Sequence, residues 1–191
     1  LVRIAERSTS LSKRALDIGA DGIVVPWMEN VEDLEEAVRD CRFPPKGRRG
    51  IGGERATAWG QCLEEHATEA DQNVLIVPLI ESIAAIPNVP KMCEVDGIDI
   101  FFFGPADFSS TAGFPGKWEG PGVAEQILEL KDIINASGKH CGVVSTSTKN
   151  LTDRLEQGFK MLALGNDSGL LLRSIHQSLR EIGRDRSLAT S

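Results

Sequence analysis

Short apolar runs and longer amphipathic segments alternate along this chain. The apolar runs have the length of strands and are bounded by turn residues; they cover residues 1–4, 22–26, 74–80, 98–103, 140–145 and 160–164. The segments between them place apolar residues at helical spacing, which predicts helices over residues 10–18, 31–41, 64–70, 83–95, 123–136 and 168–182, with another ending at 156. The helix over residues 83–95 is expected to be broken near Pro87 and Pro90. Strands that alternate with helices predict βα units on a parallel sheet.

Helix caps and loops are visible in the same pattern. Ser10 is predicted to cap the first helix, and Asn30 with Asp33 resembles a capping box for the second. Residues 43–60 and 109–122 are rich in glycine and proline, and they predict long surface loops of the kind that carry functional residues.

Two carboxylates follow strongly apolar runs. Glu81 comes directly after residues 74–80, and Asp107 comes after residues 100–106. Such runs are typical of strands in a parallel sheet, whose carboxyl ends build the active site. Two acids at the ends of successive strands form a suitable site for a hard divalent cation such as Mg²⁺ or Mn²⁺.

Length and charge narrow the class of protein. The 191 residues fit a single α/β domain, but six strand–helix units are two fewer than a (β/α)8 barrel needs. Lys and Arg number 21 against 28 Asp and Glu, a net charge of -7 that argues against a nucleic-acid surface.

No apolar stretch reaches the ~20 residues of a membrane span. The four cysteines lack metal or redox spacing, so we expect reduced thiols in a cytoplasmic protein.

Three motifs, in order and at suitable spacing, resemble one known family. They are RFPPKGRRGIG at residues 42–52, LIES at residues 79–82 and GPADFS at residues 104–109. They are similar to the loop motif, the metal-glutamate strand and the glycine-proline-alanine-aspartate turn of the HpcH/HpaI aldolase/citrate lyase family. The family's divalent-metal-dependent 2-oxo acid aldolases have a TIM (β/α)8 barrel of the phosphoenolpyruvate/pyruvate type. The resemblance covers nearly the whole chain.

The resemblance implies a metal site and a substrate site. Glu81 and Asp107 correspond to the two ligands of Mg²⁺ or Mn²⁺. Arg3 corresponds to an arginine that contacts the 2-oxo oxygen and stabilises a pyruvate enolate. The backbone N–H groups of Ala106 and Asp107 would hold the substrate carboxylate, a use of exposed amides that also has a physical basis. The implied activity is carbon–carbon cleavage or formation with 2-oxo acid and aldehyde substrates.

The resemblance gives three further residues roles. Asp17 corresponds to an aspartate that supports the catalytic base, and Val144 corresponds to an apolar wall of the pocket. Arg49 lies in the loop motif, where contact with substrate and support of the loop are both open.

This sequence also departs from the family's pattern. The family's first two strands, with the histidine that serves as general base, have no counterpart here, and Leu79 stands where many members have glutamine. Two alternatives to an ordinary aldolase therefore remain. One is an oxaloacetate decarboxylase similar to macrophomate synthase. The other is a non-catalytic truncated remnant that binds metal and 2-oxo acid without turnover; in either case we expect residues 1–191 to be a single barrel domain that is incomplete at its N-terminal side.

Assembly is the last expectation. Six strands leave the first and sixth as open edges, which favour association. The final helix carries apolar side chains along one face, at Leu171, Leu172, Ile175, Leu179 and Ile182. In the family this helix packs on a neighbouring subunit, so the resemblance implies a homo-oligomer.

Overall fold

The sheet has six parallel strands, as the apolar runs predicted. A computed structural model of the protein describes residues 1–118, 120–145 and 147–185. The strands are β1 Val2–Arg3, β2 Gly22–Val25, β3 Leu75–Ile80, β4 Ile100–Phe103, β5 His140–Val144 and β6 Met161–Ala163. They pair in chain order, and within the described ranges β1 and β6 each have one neighbour. The sheet is therefore open at both edges.

Helices connect the strands. They are α1 Thr9–Asp17, α2 Val31–Cys41, α3 Leu63–Asn73, α4 Val89–Met92, α5 Pro105–Thr111, α6 Val123–Ala136, α7 Thr148–Glu156 and α8 Asp167–Glu181. Two 3₁₀ helices, Arg55–Thr57 and Ile83–Asn88, precede α3 and α4. Among the described residues, no helix is long and apolar enough to cross a membrane.

The core lies between the sheet and the helices. In β4, Phe101 and Phe103 are fully buried, while Phe102 between them points to the other face and is only partly buried. The same alternation in β2 buries Ile23 and Val25. Each such side chain contributes roughly 1.5–3 kcal/mol by leaving water. The opposite face is concave, since one cavity there is lined by residues of all six strands.

Two local predictions were wrong. The cap of α1 is Ser8, whose Oγ accepts from the Leu11 N–H, and Ser10 lies inside the helix. Part of the predicted loop over residues 109–122 belongs to α5, because Pro105 occupies a first-turn position where its missing N–H costs nothing. The Asn30 cap is confirmed by a 2.9 Å bond from the Asp33 N–H.

The proline- and arginine-rich loop is anchored to the end of α2. The N–H of Arg49 donates to the carbonyl of Arg42 at 2.9 Å, and that of Arg48 donates to the carbonyl of Arg39 at 2.8 Å. A Cβ on Gly47 would lie 2.4 Å from both carbonyl oxygens, so only glycine allows this close approach. Gly47 of the motif is therefore required by the close packing of the loop against α2.

Arg49 of this loop is buried in an ion pair. Its side chain is 1% exposed, and Nη2 donates to Oδ1 of Asp17 at 3.2 Å. The guanidinium also lies over the ring of Phe43, 4.6 Å from its centroid. The Asp17 side chain is 15% exposed and pairs in addition with the half-buried Lys13. Asp17 thus supplies the counter-charge of a buried cation.

Loss of that counter-charge should destabilise the fold. We predict that Asp17→Asn lowers the free energy of unfolding by about 3–5 kcal/mol, because it leaves the Arg49 charge buried without a partner. Urea denaturation measures the change. Lys13→Ala is the matched control; it removes the more exposed partner of the same carboxylate and should cost about 1 kcal/mol or less. Equal losses in the two variants would contradict the buried-pair account.

Candidate active site

Glu81 and Gly104 follow neighbouring strands at the same edge of the sheet. β3 and β4 pair with Ile80 opposite Phe103, and the Gly104 N–H donates to the Ile80 carbonyl at 3.0 Å. The residue after each strand is therefore adjacent to its counterpart. A Cβ on Gly104 would lie 2.9 Å from both Cβ and Oε2 of Glu81. The Glu81 carboxylate occupies space that only a glycine leaves open.

The Glu81 carboxylate is buried and partly neutralised. The residue is 2% exposed, and Oε1 accepts a 3.0 Å bond from the backbone N–H of Trp27. Burial raises the pKa of the Glu81 carboxyl above its ordinary value; the Trp27 N–H and the charge of Arg3 oppose that shift, and the charge of Asp107 adds to it. Asp107 and Arg3 are thus both close enough to act electrostatically on the Glu81 carboxyl.

Asp107 lies in the first turn of α5, directly beyond Gly104. Its residue is exposed, as is Ala106 before it. The N–H groups of Ala106 and Asp107 belong to the first turn of a helix, where helical geometry provides no carbonyl partner. They are therefore free to bind an anionic group, as the resemblance implied.

A cavity of about 350 Å³ opens on the concave face beside these residues. Arg3 and Val144 line it together with Ala106, and Trp118 covers part of it. Its remaining lining is apolar, from Val24, Leu79, Phe102, Phe103, Gly104, Pro105, Met161 and Ala163. Three residues predicted for the substrate site thus meet at one cavity.

Asp17 and Arg49 lie elsewhere. Both adjoin the connections that lead into β2 and β3, at the amino ends of the strands, where the Leu75 N–H donates to the Asp21 carbonyl at 2.9 Å. Arg49 lines a separate cavity of about 420 Å³ there. Within one chain the structure does not bring this pair to Glu81, and the roles that the resemblance implied for them stay predictions.

None of the three histidines is near the carboxyl-end site. His66 lines the amino-end cavity, where burial and the nearby Arg49 charge lower its pKa. His140 begins β5 at the amino end of the sheet, and His176 on α8 contacts Asp185 at 2.6 Å. No histidine of the chain is therefore placed to act as a base at Glu81.

Sequence reasoning missed two contributors to the site, Trp27 and Gly104. Trp27 acts through its backbone N–H and adopts a left-handed conformation with φ 55°. That conformation is unusual for a residue with a Cβ, so the sequence offered no signal for it. Gly104 was part of the recognised motif, but its role in making room for Glu81 depends on the register of β3 and β4.

The arrangement fits a divalent metal. In residues 1–118, 120–145 and 147–185, no three His, Cys, Asp or Glu side chains cluster as metal ligands. Two neighbouring carboxylates are nevertheless what a Mg²⁺ site commonly takes from a protein, because water and substrate oxygens complete its coordination. The raised pKa of Glu81 also indicates a buried carboxylate that an added positive charge would favour in its ionised form.

Comparison with known proteins identifies relatives of this chain in sequence and in structure. A 4-hydroxy-2-oxovalerate aldolase from Rhodococcus jostii (strain RHA1) is 38% identical over 173 residues, covering 90% of this chain and 66% of the relative. The solved structure of an HpcH/HpaI aldolase/citrate lyase family protein from Burkholderia cenocepacia J2315 has a TM-score of 0.91 at 30% identity, covering 95% of this chain and 73% of that one. Macrophomate synthase has a TM-score of 0.80 at 26% identity, covering 95% and 65%.

These likenesses confirm the expected barrel class, of which the described strands form an open arc. The chain spans about two thirds of the length of the curated relatives that it matches. The model of one family matches residues 1–174, nearly the whole chain. The chain belongs to the HpcH/HpaI aldolase/citrate lyase family.

Proposed function

We propose that this chain provides the metal and substrate site of a divalent-metal-dependent carbon–carbon lyase. Its substrate would be a 2-oxo acid, cleaved to or formed from an aldehyde and a pyruvate enolate. The observation that supports this most directly is the placement of Glu81 and of the turn that carries Asp107 at the carboxyl ends of the paired strands β3 and β4, beside the cavity that Arg3 lines. The Rhodococcus relative is named an aldolase of a 2-oxo acid, which agrees with this substrate class.

Each residue of the site has a chemical task in this proposal. Glu81 and Asp107 would hold Mg²⁺ or Mn²⁺, and the bound cation would supply Lewis-acid stabilisation of the developing negative charge. Arg3 would bind the 2-oxo oxygen, since a fixed guanidinium favours an enolate oxyanion over a neutral ketone. The amides of Ala106 and Asp107 would hold the substrate carboxylate in place.

The cavity supports the same chemistry through its apolar walls. Val144, Leu79 and Trp118 line it beside Arg3. An apolar lining excludes water, which strengthens the interaction between a guanidinium and an oxyanion. Val144 is thus the apolar wall of the substrate pocket in this proposal.

We infer a cytoplasmic site of action, together with reduced thiols. All four cysteines are unpaired, and burial raises the pKa of Cys41 and Cys141 to about 12. Unpaired cysteines of this kind are usual in reducing compartments.

A second candidate function has a specific observation behind it. His66, His140 and His176 all lie away from Glu81. A chain without a base at the site could bind metal and 2-oxo acid without efficient turnover, as a binding subunit does.

Metal binding tests the principal proposal. Calorimetric titration with Mn²⁺ should show binding to the unmodified chain, and Glu81→Ala or Asp107→Ala should abolish most of it, because each removes one of two anionic ligands. Asp99→Ala is the control. Asp99 directly precedes β4, at the amino end of the strand, and this variant should bind like the unmodified chain. Equal binding in all variants would contradict the assignment of the ligands.

Turnover separates the two candidate functions. We expect the 191-residue chain to release pyruvate from a 4-hydroxy-2-oxo acid ~100- to 10,000-fold more slowly than the Rhodococcus relative assayed beside it, because it lacks a placed base. A coupled pyruvate assay gives both rates. Comparable rates would rule out the binding-subunit function. Oxaloacetate, tested in parallel, reports any decarboxylation of the kind considered for macrophomate synthase-like enzymes.

We also propose that the protein is a homo-oligomer built through α8. This helix has no buried residue, and Leu171 is 62% exposed although its face is apolar. An apolar helix face of this kind requires a covering surface.

The oligomer can be measured by light scattering. The unmodified chain should scatter as a multimer, and Leu171→Glu with Ile175→Glu should shift it towards a single chain, because charges on the apolar face disfavour its burial. Gln177→Glu, an exposed site on the opposite face of the same helix, should leave the mass unchanged. A monodisperse monomer for the unmodified chain would disprove the proposal.

A further inference from the structure

Trp27 has an unusual backbone conformation that the packing of its own side chain does not explain. Its φ is 55°, in the left-handed region, and its side chain is 47% exposed. A residue with a Cβ is disfavoured there, because the Cβ approaches the following carbonyl oxygen. Strain of this kind persists where the surroundings enforce it, and it concentrates at functional sites.

The surroundings that enforce it are the end of β3. The Trp27 N–H donates to Oε1 of Glu81 at 3.0 Å, and the N–H of the next residue, Met28, donates to the Leu79 carbonyl at 3.2 Å. Met28 is 3% exposed, so this turn is fixed against the core. Two successive amides therefore fix the turn after β2 against the end of β3 and the Glu81 that follows it.

The two oxygens of Glu81 have different environments as a result. Oε1 accepts the Trp27 N–H, whereas Oε2 lies over the bare Cα of Gly104, where an added Cβ would approach it to 2.9 Å. A carboxylate with one oxygen bonded to the backbone and the other packed against the Cα of Gly104 has a single orientation. Such supporting contacts commonly fix the geometry of metal ligands.

We propose that Trp27 is a positioning residue for Glu81. Its left-handed turn directs a backbone N–H onto Oε1, and the absence of a side chain at Gly104 leaves room for Oε2, the oxygen that would bind a divalent cation. This inference rests on the metal-dependent function proposed above. It assigns the effect to the backbone of Trp27 and gives no part to the indole.

Substitutions at position 27 that differ in backbone preference test the inference. Asn adopts the left-handed region more readily than other residues with a Cβ, and β-branched Val adopts it least. Trp27→Asn and Trp27→Val both remove the indole, so they differ in the conformation of the turn. Mn²⁺ titration by calorimetry should show about tenfold weaker binding in Trp27→Val than in Trp27→Asn. Equal affinities in the two variants would overturn the proposal.

Gly104 provides a second, independent variant. Gly104→Ala should weaken Mn²⁺ binding at least about tenfold, because the new Cβ would displace Oε2. Gly53→Ala is its control; no positive φ constrains that residue, and an added Cβ would meet nothing closer than 3.7 Å. Affinity retained in Gly104→Ala would contradict the assignment of Oε2.

Circular dichroism and urea midpoints establish that each variant is folded. If Trp27→Val does not fold, Trp27→Ala replaces it, and binding weaker than in Trp27→Asn is again required. Failure of this inference is distinguishable from failure of the proposed function. In the first case the unmodified chain binds Mn²⁺ and loses it in Glu81→Ala, but Trp27→Asn and Trp27→Val bind alike. In the second, the unmodified chain and Glu81→Ala bind alike.

Discussion

The site depends on one carboxylate that the fold removes from water. Glu81 is 2% exposed, and an ionised carboxylate in such a place costs several kcal/mol unless donors or positive charges compensate it. The Trp27 N–H and the charge of Arg3 provide part of that compensation, yet the pKa of Glu81 is still raised. The raised pKa indicates that this compensation of the negative charge is incomplete. In the proposed function, a divalent cation beside Asp107 would add the missing positive charge.

The register of the strands explains how much of this could be read from the sequence. Parallel strands bring their carboxyl ends to one edge, so the position of Glu81 after one apolar run and of Asp107 after the next was sufficient to place them together. The helix at residues 123–136 was predicted with its observed bounds because its apolar spacing is regular and its ends are well marked. Strand ends differed by one or two residues, as is usual at the ends of elements.

What could not be predicted depends on contacts between distant residues. A tryptophan gives no sign of a left-handed backbone, and the contact that accompanies the conformation here is with Glu81, 54 residues away. The sequence pattern did not predict α5, because the glycine and proline residues around it indicate a loop, although Pro105 is well suited to a first turn. Ser8 and Ser10 are equivalent as candidate caps in the sequence, and only the path of the chain selects Ser8.

Two arginines illustrate why residue type alone does not assign a role. Arg49 lies in a recognised motif, but its charge is already compensated by Asp17 and its face is stacked on Phe43. Its Nε and Nη1 have no hydrogen-bond partner among the described residues, so one ion pair and one ring contact hold the guanidinium. Arg3 makes no salt bridge with any residue in the described ranges, is exposed, and lines the carboxyl-end cavity. In the proposed function, Arg3 is the arginine at the carboxyl-end cavity, where a guanidinium would stabilise an enolate, whereas the contacts of Arg49 hold its loop against α1.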